Sequence, residues 1–568
     1  MSKALTVWRI AVALIVALPA AAIPARAQLQ DTSSLPVIGG ETLLRGDFAK
    51  AVDSLTTELD APGLSNDQRA GLLNDRGVAH WHMGDLSSAI DDFNKAAAIY
   101  PELAAVYNNR GNVLLSLQSS GEAKRDFDRA VLLAPSYAAA YNNRAIAEVL
   151  LGQQDAALAD FSEAAELAPN APAPINGRGK VHLDLSRPYL AMRDFSRAIA
   201  IEPTYRPGYR NRGLARVALH QFAVAIDDLT NALAFAPNDP GLLLTRGTTE
   251  IATQNYGGAL ADLDKLVTVT PKSPTAYAER GHVRALMGSF PEAMTDFAKA
   301  IELDPKNRNA FAYRAEAHLN NHEADLGLAD TDRALKIDQH YAAAYRVRAA
   351  LEEALGQTPD AATDFEQAAN LDPDDELAWS GLKRLTGKER PAPEVISGST
   401  FNNWSIVKEA GRLKARNSRW PNVLVPLELI GTDAVALTGW EEKGPPFHGI
   451  GVLRYTAGQF PANPAPKELE LGAIVDLVHG QVIGIEPVRI GDRLASWEWT
   501  EGGELIVTGP DGVNSNFRLA EGLAAVPGRT GAGATQAAAP LVPRQVAAAP
   551  APPPRKKKTF TLFDLLFN

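Results

Sequence analysis

The sequence predicts an α-solenoid of stacked helix hairpins, followed by a small all-β domain (an antiparallel sandwich or barrel) and a disordered Ala/Pro-rich tail. Three observations carry that prediction. Arginine returns every 34 residues, at Arg76, Arg110, Arg144, Arg178, Arg212, Arg246, Arg280, Arg314 and Arg348. Proline keeps the same interval from Pro101 to Pro373, with Gln339 in the one vacant place. After about Gly398 the pattern changes to short β-branched runs, and after Gly522 to Ala, Pro and Gly. A fixed period of this length means that each unit can bury its apolar face only against its neighbours.

The first residues read as an address. In 1–27, Lys3 and Arg9 precede an apolar run from Ile10 to Leu18, and Ala25-Arg26-Ala27 supplies an A-x-A cleavage site. The run breaks at Pro19, short of the ~20 apolar residues a bilayer span needs. The expected product is exported: periplasmic in a Gram-negative bacterium, secreted otherwise. The absence of cysteine fits, and it excludes disulfides, thiol catalysis and Cys-ligated zinc. The 568 residues carry a net charge of −11, which argues against a nucleic-acid partner.

A polar leader at 28–41 precedes a degenerate capping half-repeat at 42–69, where Gly46, Ala51 and Leu55 keep repeat-like spacing. Nine full units follow over 70–375. Counting each from place 1 to place 34, place 4 is aromatic or Leu in all but one unit and place 8 is Gly or Ala. The usual residues are Ala at place 20, Phe or Leu at place 24, Ala at place 27 and Pro at place 32. This pattern resembles the tetratricopeptide repeat. The eighth unit departs most, with Gly327 and Thr331 at places 20 and 24. A closing helix at 376–390 puts Trp379 at a place-4 position, as an array needs to cover its last apolar face. Residues 391–397, with "RPAPE", form a linker.

The β-rich domain is expected over 398–521. Runs such as "VLVPLELIG", "GIGVLRYT", "QVIGIEPV" and "GELIVTG" alternate with Gly-Thr-Asp, His-Gly and Glu-Gly-Gly turn signals. Seven or eight short strands suggest a sandwich or barrel. Its composition resembles no family. Residues 522–554 form a disordered Ala/Pro/Gly linker.

Each unit also places an aspartate at place 23, one before its Phe or Leu, from Asp92 to Asp364. Arginine at place 7 and aspartate at place 23 lie at facing levels of a hairpin. Arg110 and Asp126, Arg144 and Asp160, and Arg212 and Asp228 are therefore expected as rungs of a structural ion-pair ladder, since the guanidinium fork matches a carboxylate. The competing expectation is a basic stripe for acidic ligands. At place 11, Glu148, Glu250 and Glu352 stand four residues after arginines, within reach of same-helix pairs.

The resemblance implies that first helices line a concave groove, chiefly through places 2, 5, 9, 12 and 13. That carries Asn74, Asn108, Asn142, Asn176 and Arg210 to the groove from place 5, with Asn112 and Lys180 from place 9 and Trp81 from place 12. Carboxamides both donate and accept, so such a row suits the backbone of an extended peptide. The competing expectation is that these asparagines are solvated or pack at turns. No G-x-S-x-G, HExxH or P-loop is present, no metal site is evident, and neither cofactor nor catalysis is expected.

Residues 555–568, "RKKKTFTLFDLLFN", join a basic cluster to Phe560, Leu562, Phe563, Leu566 and Phe567. Such an apolar end calls for cover, on a partner protein, a membrane surface or the chain's own solenoid. The best reading is an exported scaffold holding a protein or extended peptide in its groove. The alternative is an envelope enzyme or glycan-binding protein acting through the β-domain, with the repeats recruiting it.

Overall fold

The computed structural model describes residues 46–518 apart from 410–411, 421–422, 430–434, 443–449, 461–466, 478–480, 500–503 and 511–513. The export signal, the leader, the 522–554 linker and the 555–568 segment lie outside the described residues, except that the half-repeat is described from 46 onward.

Among the described residues, twenty helices precede the first strand. A single helix, Phe48–Leu59, covers the N-terminal end through buried Ala51, Leu55 and Leu59, and Phe48 stacks on His82 at 4.5 Å. Repeat one then begins at Asn66, one turn ahead of the 34-residue phase, with Ser65 and Gln68 forming a capping box. In repeat two the paired helices are Ala104–Ser116 and Ser120–Leu133, and later repeats copy those lengths.

The reason lies in places 8 and 24. Phe127 is fully buried, and a Cβ added to Gly111 would come within 2.6 Å of its ring. The small residue thus lets the two helices of the hairpin close over one aromatic ring. Place 15 ends every first helix in the left-handed region. It is Gly84, Gly152, Gly288 or Gly356 in four repeats and Gln118, Ser186, His220, Gln254 or His322 in the other five. The turn is set by the hairpin, and glycine only relieves it.

Successive first helices pack on one another more closely than successive second helices, so the first helices form the inner wall of the curve. Between repeats, the place-4 tyrosine reaches back to the preceding place-32 carbonyl. Tyr107 Oη donates to Pro101 O at 3.1 Å and Tyr209 Oη to Pro203 O at 3.2 Å. Tyr345 makes the same bond to Gln339 O at 3.2 Å, so proline itself is dispensable there. In the closing helix Glu376–Thr386, Trp379 Nε1 donates to Pro373 O at 3.0 Å, and Gly387 terminates it at φ 76°. No helix among the described residues is long and apolar enough to cross a membrane.

The β-rich region holds twelve described strands in three antiparallel sheets, each with its strands in chain order. The first sheet comprises β1 (Glu394–Phe401), β2 (Trp404–Glu409), β3 (Arg412–Asn417) and β4 (Leu424–Pro426). The second comprises β5 (Leu437–Glu442), β6 (Ile450–Phe460), β7 (Lys467–Asp476), β8 (Gln481–Ile490) and β9 (Arg493–Leu494). The third comprises β10 (Ser496–Trp499), β11 (Glu504–Thr508) and β12 (Asn514–Arg518).

The strands outnumber the seven or eight expected from the sequence, and two details of their placement differ as well. β1 starts at Glu394, inside the stretch read as linker, because Glu394 and Val395 pair with Lys408 and Val407. The run "VLVPLELIG" yields only three residues of strand; the rest serves another purpose described below. Alternation on β6 and β7 covers both faces of the second sheet. Leu453, Tyr455, Ala473 and Val475 pack with Trp404, Ile406 and Val425 of the first sheet, while Ile450 and Ile474 pack with Leu505 and Val507 of the third.

Candidate binding groove and domain contact

The arginines and aspartates pair within each repeat. Arg110 Nε and Nη2 donate to the two oxygens of Asp126 at 2.7 and 2.6 Å. Arg144 holds Asp160 at 2.5 and 2.8 Å, and Arg212 holds Asp228 at 2.9 and 2.8 Å. The remaining nitrogen crosses to the preceding repeat: Arg110 Nη1 donates to Asn94 Oδ1 at 2.8 Å, and Arg144 Nη1 to Asp128 Oδ1 at 3.1 Å. One side chain therefore closes its own hairpin and ties it to the last. Arginine suits this because its five donors are fixed in one plane.

Of the same-helix pairs expected at place 11, Arg348 and Glu352 meet at a long 3.9 Å, while Glu148 faces Lys124 at 3.5 Å. Burial, and then the nearby Asp160, pushes the Glu148 carboxyl up to about 7; burial and Asp364 do the same to Glu352. The physical reason is competition, because the place-7 arginine is already committed to place 23.

The asparagines form one continuous chain of amide hydrogen bonds. Asn142 Nδ2 donates to Asn143 Oδ1, Asn143 Nδ2 to Asn108 Oδ1, and Asn108 Nδ2 to Asn109 Oδ1, at 3.1, 2.9 and 3.2 Å. Asn109 Nδ2 then donates to Asn74 Oδ1 at 2.9 Å, and Asn74 Nδ2 to Asp75 Oδ1 at 3.2 Å. Burial pushes the terminal Asp75 carboxyl up to about 6 against the bond from Asn74. A second segment joins Asn211 Nδ2 to Asn176 Oδ1 at 2.9 Å. In repeats two, three and five the place-6 amide thus answers the place-5 amide of the repeat before.

This changes which residues can meet a ligand. Asn108 and Asn176 are 1% and 0% exposed, and Asn74, Asn112 and Trp81 are also buried. The sequence reading set all of them on an open groove; repeat-to-repeat packing covers them. Asn142, Lys180 and Arg210, from three consecutive repeats, stay partly open. Burial lowers the Lys180 pKa to about 8, with Arg210 opposing its charge and Asp184 favouring it. Arg210 also reaches Asp239 at 3.4 Å. Among the described residues, Asn112 Oδ1 and Asn176 Nδ2 are buried without a hydrogen-bond partner. Of the histidines, His318 Nδ1 meets Glu323 at 2.9 Å, and His322 occupies the left-handed turn.

A second contact was not foreseen. The β-rich region seats itself on the solenoid at repeat four, where Tyr189 and Leu190 enter the core shared by the first two sheets. Met192 and Leu219 of repeats four and five pack beside them. The stretch after β4 explains why its strand is so short. Glu428 Oε1 accepts from Tyr189 N at 2.8 Å and Oε2 from Leu190 N at 3.1 Å. These are free amides of the first turn of helix Pro188–Ile201, so Glu428 caps that helix from across the domain contact. Burial pushes its carboxyl up to about 7 against those two bonds. Arg193 pairs with Glu486 of β8 at 2.5 Å, and Tyr189 Oη donates to Val482 O at 3.2 Å. Arg390, after the closing helix, holds Glu409 of β2 at 3.2 Å, so the region is tied to the array twice.

The sequence carried a signal for this. Place 18 is exposed in each of the other eight repeats, and there it is Ser, Gly, Asp, Ala or Pro. Only "PYLAMRD" puts Tyr189 at that place.

A stacked array of helix hairpins with an inner wall of first helices defines an α-helical repeat solenoid. The profile of the tetratricopeptide repeat matches residues 44–104, 108–172 and 244–308, all within the array. The repeats of the solenoid are tetratricopeptide repeats. Solved structures similar to it include YrrB, a TPR protein with an unusual peptide-binding site, at 20% identity and a TM-score of 0.29 over 33% of this chain and 96% of that one. Yeast Tom70 gives 17% identity and 0.34, covering 61% and 86%. The Cut9–Hcn1 hetero-tetramer of the APC/C gives 14% and 0.34, covering 66% and 99%. No curated protein matches the chain.

Proposed function

We propose that the protein is an exported, non-catalytic scaffold that holds a protein or extended peptide along the inner wall of its solenoid. The observation that carries this reading is the polar strip of repeats two to five. There Asn142, Lys180 and Arg210 reach the surface beside the buried, unpartnered Asn112 Oδ1 and Asn176 Nδ2. An unpaired buried amide atom costs about 1–3 kcal/mol, a cost that a ligand backbone or bridging water would offset. Two cations on the strip favour a segment carrying a carboxylate.

The test is to pan the full chain against a random extended-peptide library. Enriched peptides should lose about ten- to a thousandfold in affinity on the Asn142→Ala/Lys180→Ala/Arg210→Ala variant, with the helical fold retained by circular dichroism. No enrichment, together with sedimentation of the full chain on cell-wall polysaccharide, would sink the reading and favour a glycan-binding β-rich region.

A further inference from the structure

The contact at repeat four has a vacant counterpart four repeats further on. The β-rich region is seated by places 16 to 19 of repeat four and by place 14 of repeat five, through Tyr189, Leu190 and Leu219. The same places of repeats eight and nine, with Leu319, line a hollow of about 650 Å³ at the edge of the array. Leu319, Ala324, Leu326 and Leu355 supply its apolar wall, and Glu323 and Asp325 stand at its rim. Leu326 is 58% exposed, at the place where Leu190 is 5% exposed. The fold thus repeats the places of its docking station along the array, and at repeats eight and nine they form an uncovered hollow with an apolar wall.

We propose that segment 555–568 of the same chain occupies this hollow. Charge is one argument. Arg555 and Lys556–Lys558 precede the apolar cluster, matching a hollow whose rim is acidic and whose wall is aliphatic. Reach is another. The tether starts at the end of β12, which lies against helix Pro188–Ile201 of repeat four. Residues 519–554 follow it, and a chain of that length averages roughly 30–36 Å as a coil and reaches at most ~120 Å when extended, so a site four helix pairs away lies within its span. An intramolecular segment on such a tether meets its site at millimolar effective concentration, so modest affinity suffices. Phe560, Leu562 and Phe563 seat against Leu326 and Leu355, while the lysines lie over Glu323 and Asp325.

The absence of cysteine makes the test direct. Ala354→Cys, on the hollow, is combined with Thr561→Cys in the full chain, and disulfide formation is followed under mild oxidant on non-reducing gels. An intramolecular bond should form about tenfold faster than for Leu150→Cys with Thr561→Cys, which probes the same place of repeat three. Adding Phe560→Ser and Phe563→Ser should remove that advantage, and Glu323→Lys with Asp325→Lys should reduce it severalfold. Equal rates at the two stations, or a rate indifferent to the phenylalanines, would overturn the proposal. A bond formed only between chains would replace it with docking on a second copy. Binding to phosphatidylglycerol vesicles that needs the phenylalanines, with no bond to Ala354→Cys, would assign the segment to a membrane surface.

Discussion

Asp228 shows how unequal the two ends of one ion pair are. Its carboxylate is held by Arg212 and also by Arg216, whose Nη1 stands 2.7 Å away. Arg212→Ala leaves Asp228 with a guanidinium still in place, whereas Asp228→Ala strands two cations at once. Urea unfolding of the full chain should therefore show a loss of about 3–5 kcal/mol for Asp228→Ala, and a clearly smaller one for Arg212→Ala. Equal losses would mean that Arg216 contributes nothing. The asparagine chain gives a matching case with neutral groups. Asn108→Ala cuts it in the middle and leaves Asn143 Nδ2 and Asn109 Oδ1 without the partner each now has. The expected cost is about 1–3 kcal/mol in the same measurement, even though alanine is the better helix former. An unchanged midpoint would show that water replaces the lost amide freely.

At the scale of the helix hairpin, place 11 introduces a dependence on pH. Glu148 and Glu352 have folded pKa values of about 7, above the usual 4.5 of an unfolded glutamate. The folded state therefore holds more protons than the unfolded one between those values, and stability falls as pH rises through the window. Below about pH 4.5 both states are protonated and the penalty vanishes. Glu148→Gln with Glu352→Gln removes the titration. The difference in melting temperature between this variant and the parent should accordingly grow in the variant's favour from pH 4.5 to pH 8. A constant difference across that range would refute the assignment.

The whole molecule is a solenoid braced by its own β-rich region. Tyr189 and Leu190 place a helix N-terminus against Glu428, and the ion pair between Arg193 and Glu486 closes the contact. Glu428→Gln keeps the volume but can present only one acceptor oxygen to two backbone amides, turning its NH₂ toward the other. The contact should loosen without unfolding either part. Limited proteolysis between residues 387 and 393 should quicken severalfold, and thermal unfolding should split into two transitions. A single transition and unchanged cleavage would show that the region is held chiefly by its apolar core. The short β4 follows from the same contact, since the residues after it leave the sheet to meet the helix.

The sequence by itself determined the solenoid, its period and the ion-pair ladder. A 34-residue period repeats the same local chemistry nine times, and Arg110 and Asp126 are brought together by one hairpin. Such contacts are sixteen residues apart and need no knowledge of the rest of the chain. The domain contact was legible only as an anomaly at Tyr189, because its partner Glu428 is 239 residues away and no local pattern joins them. The asparagines mark the line between the two. Their type and spacing were plain in the sequence, and they suited a peptide as well as they suited one another. Only the stacking angle between repeats, set by how closely the first helices pack, brought Asn143 to Asn108 and turned most of the row from open surface into interior.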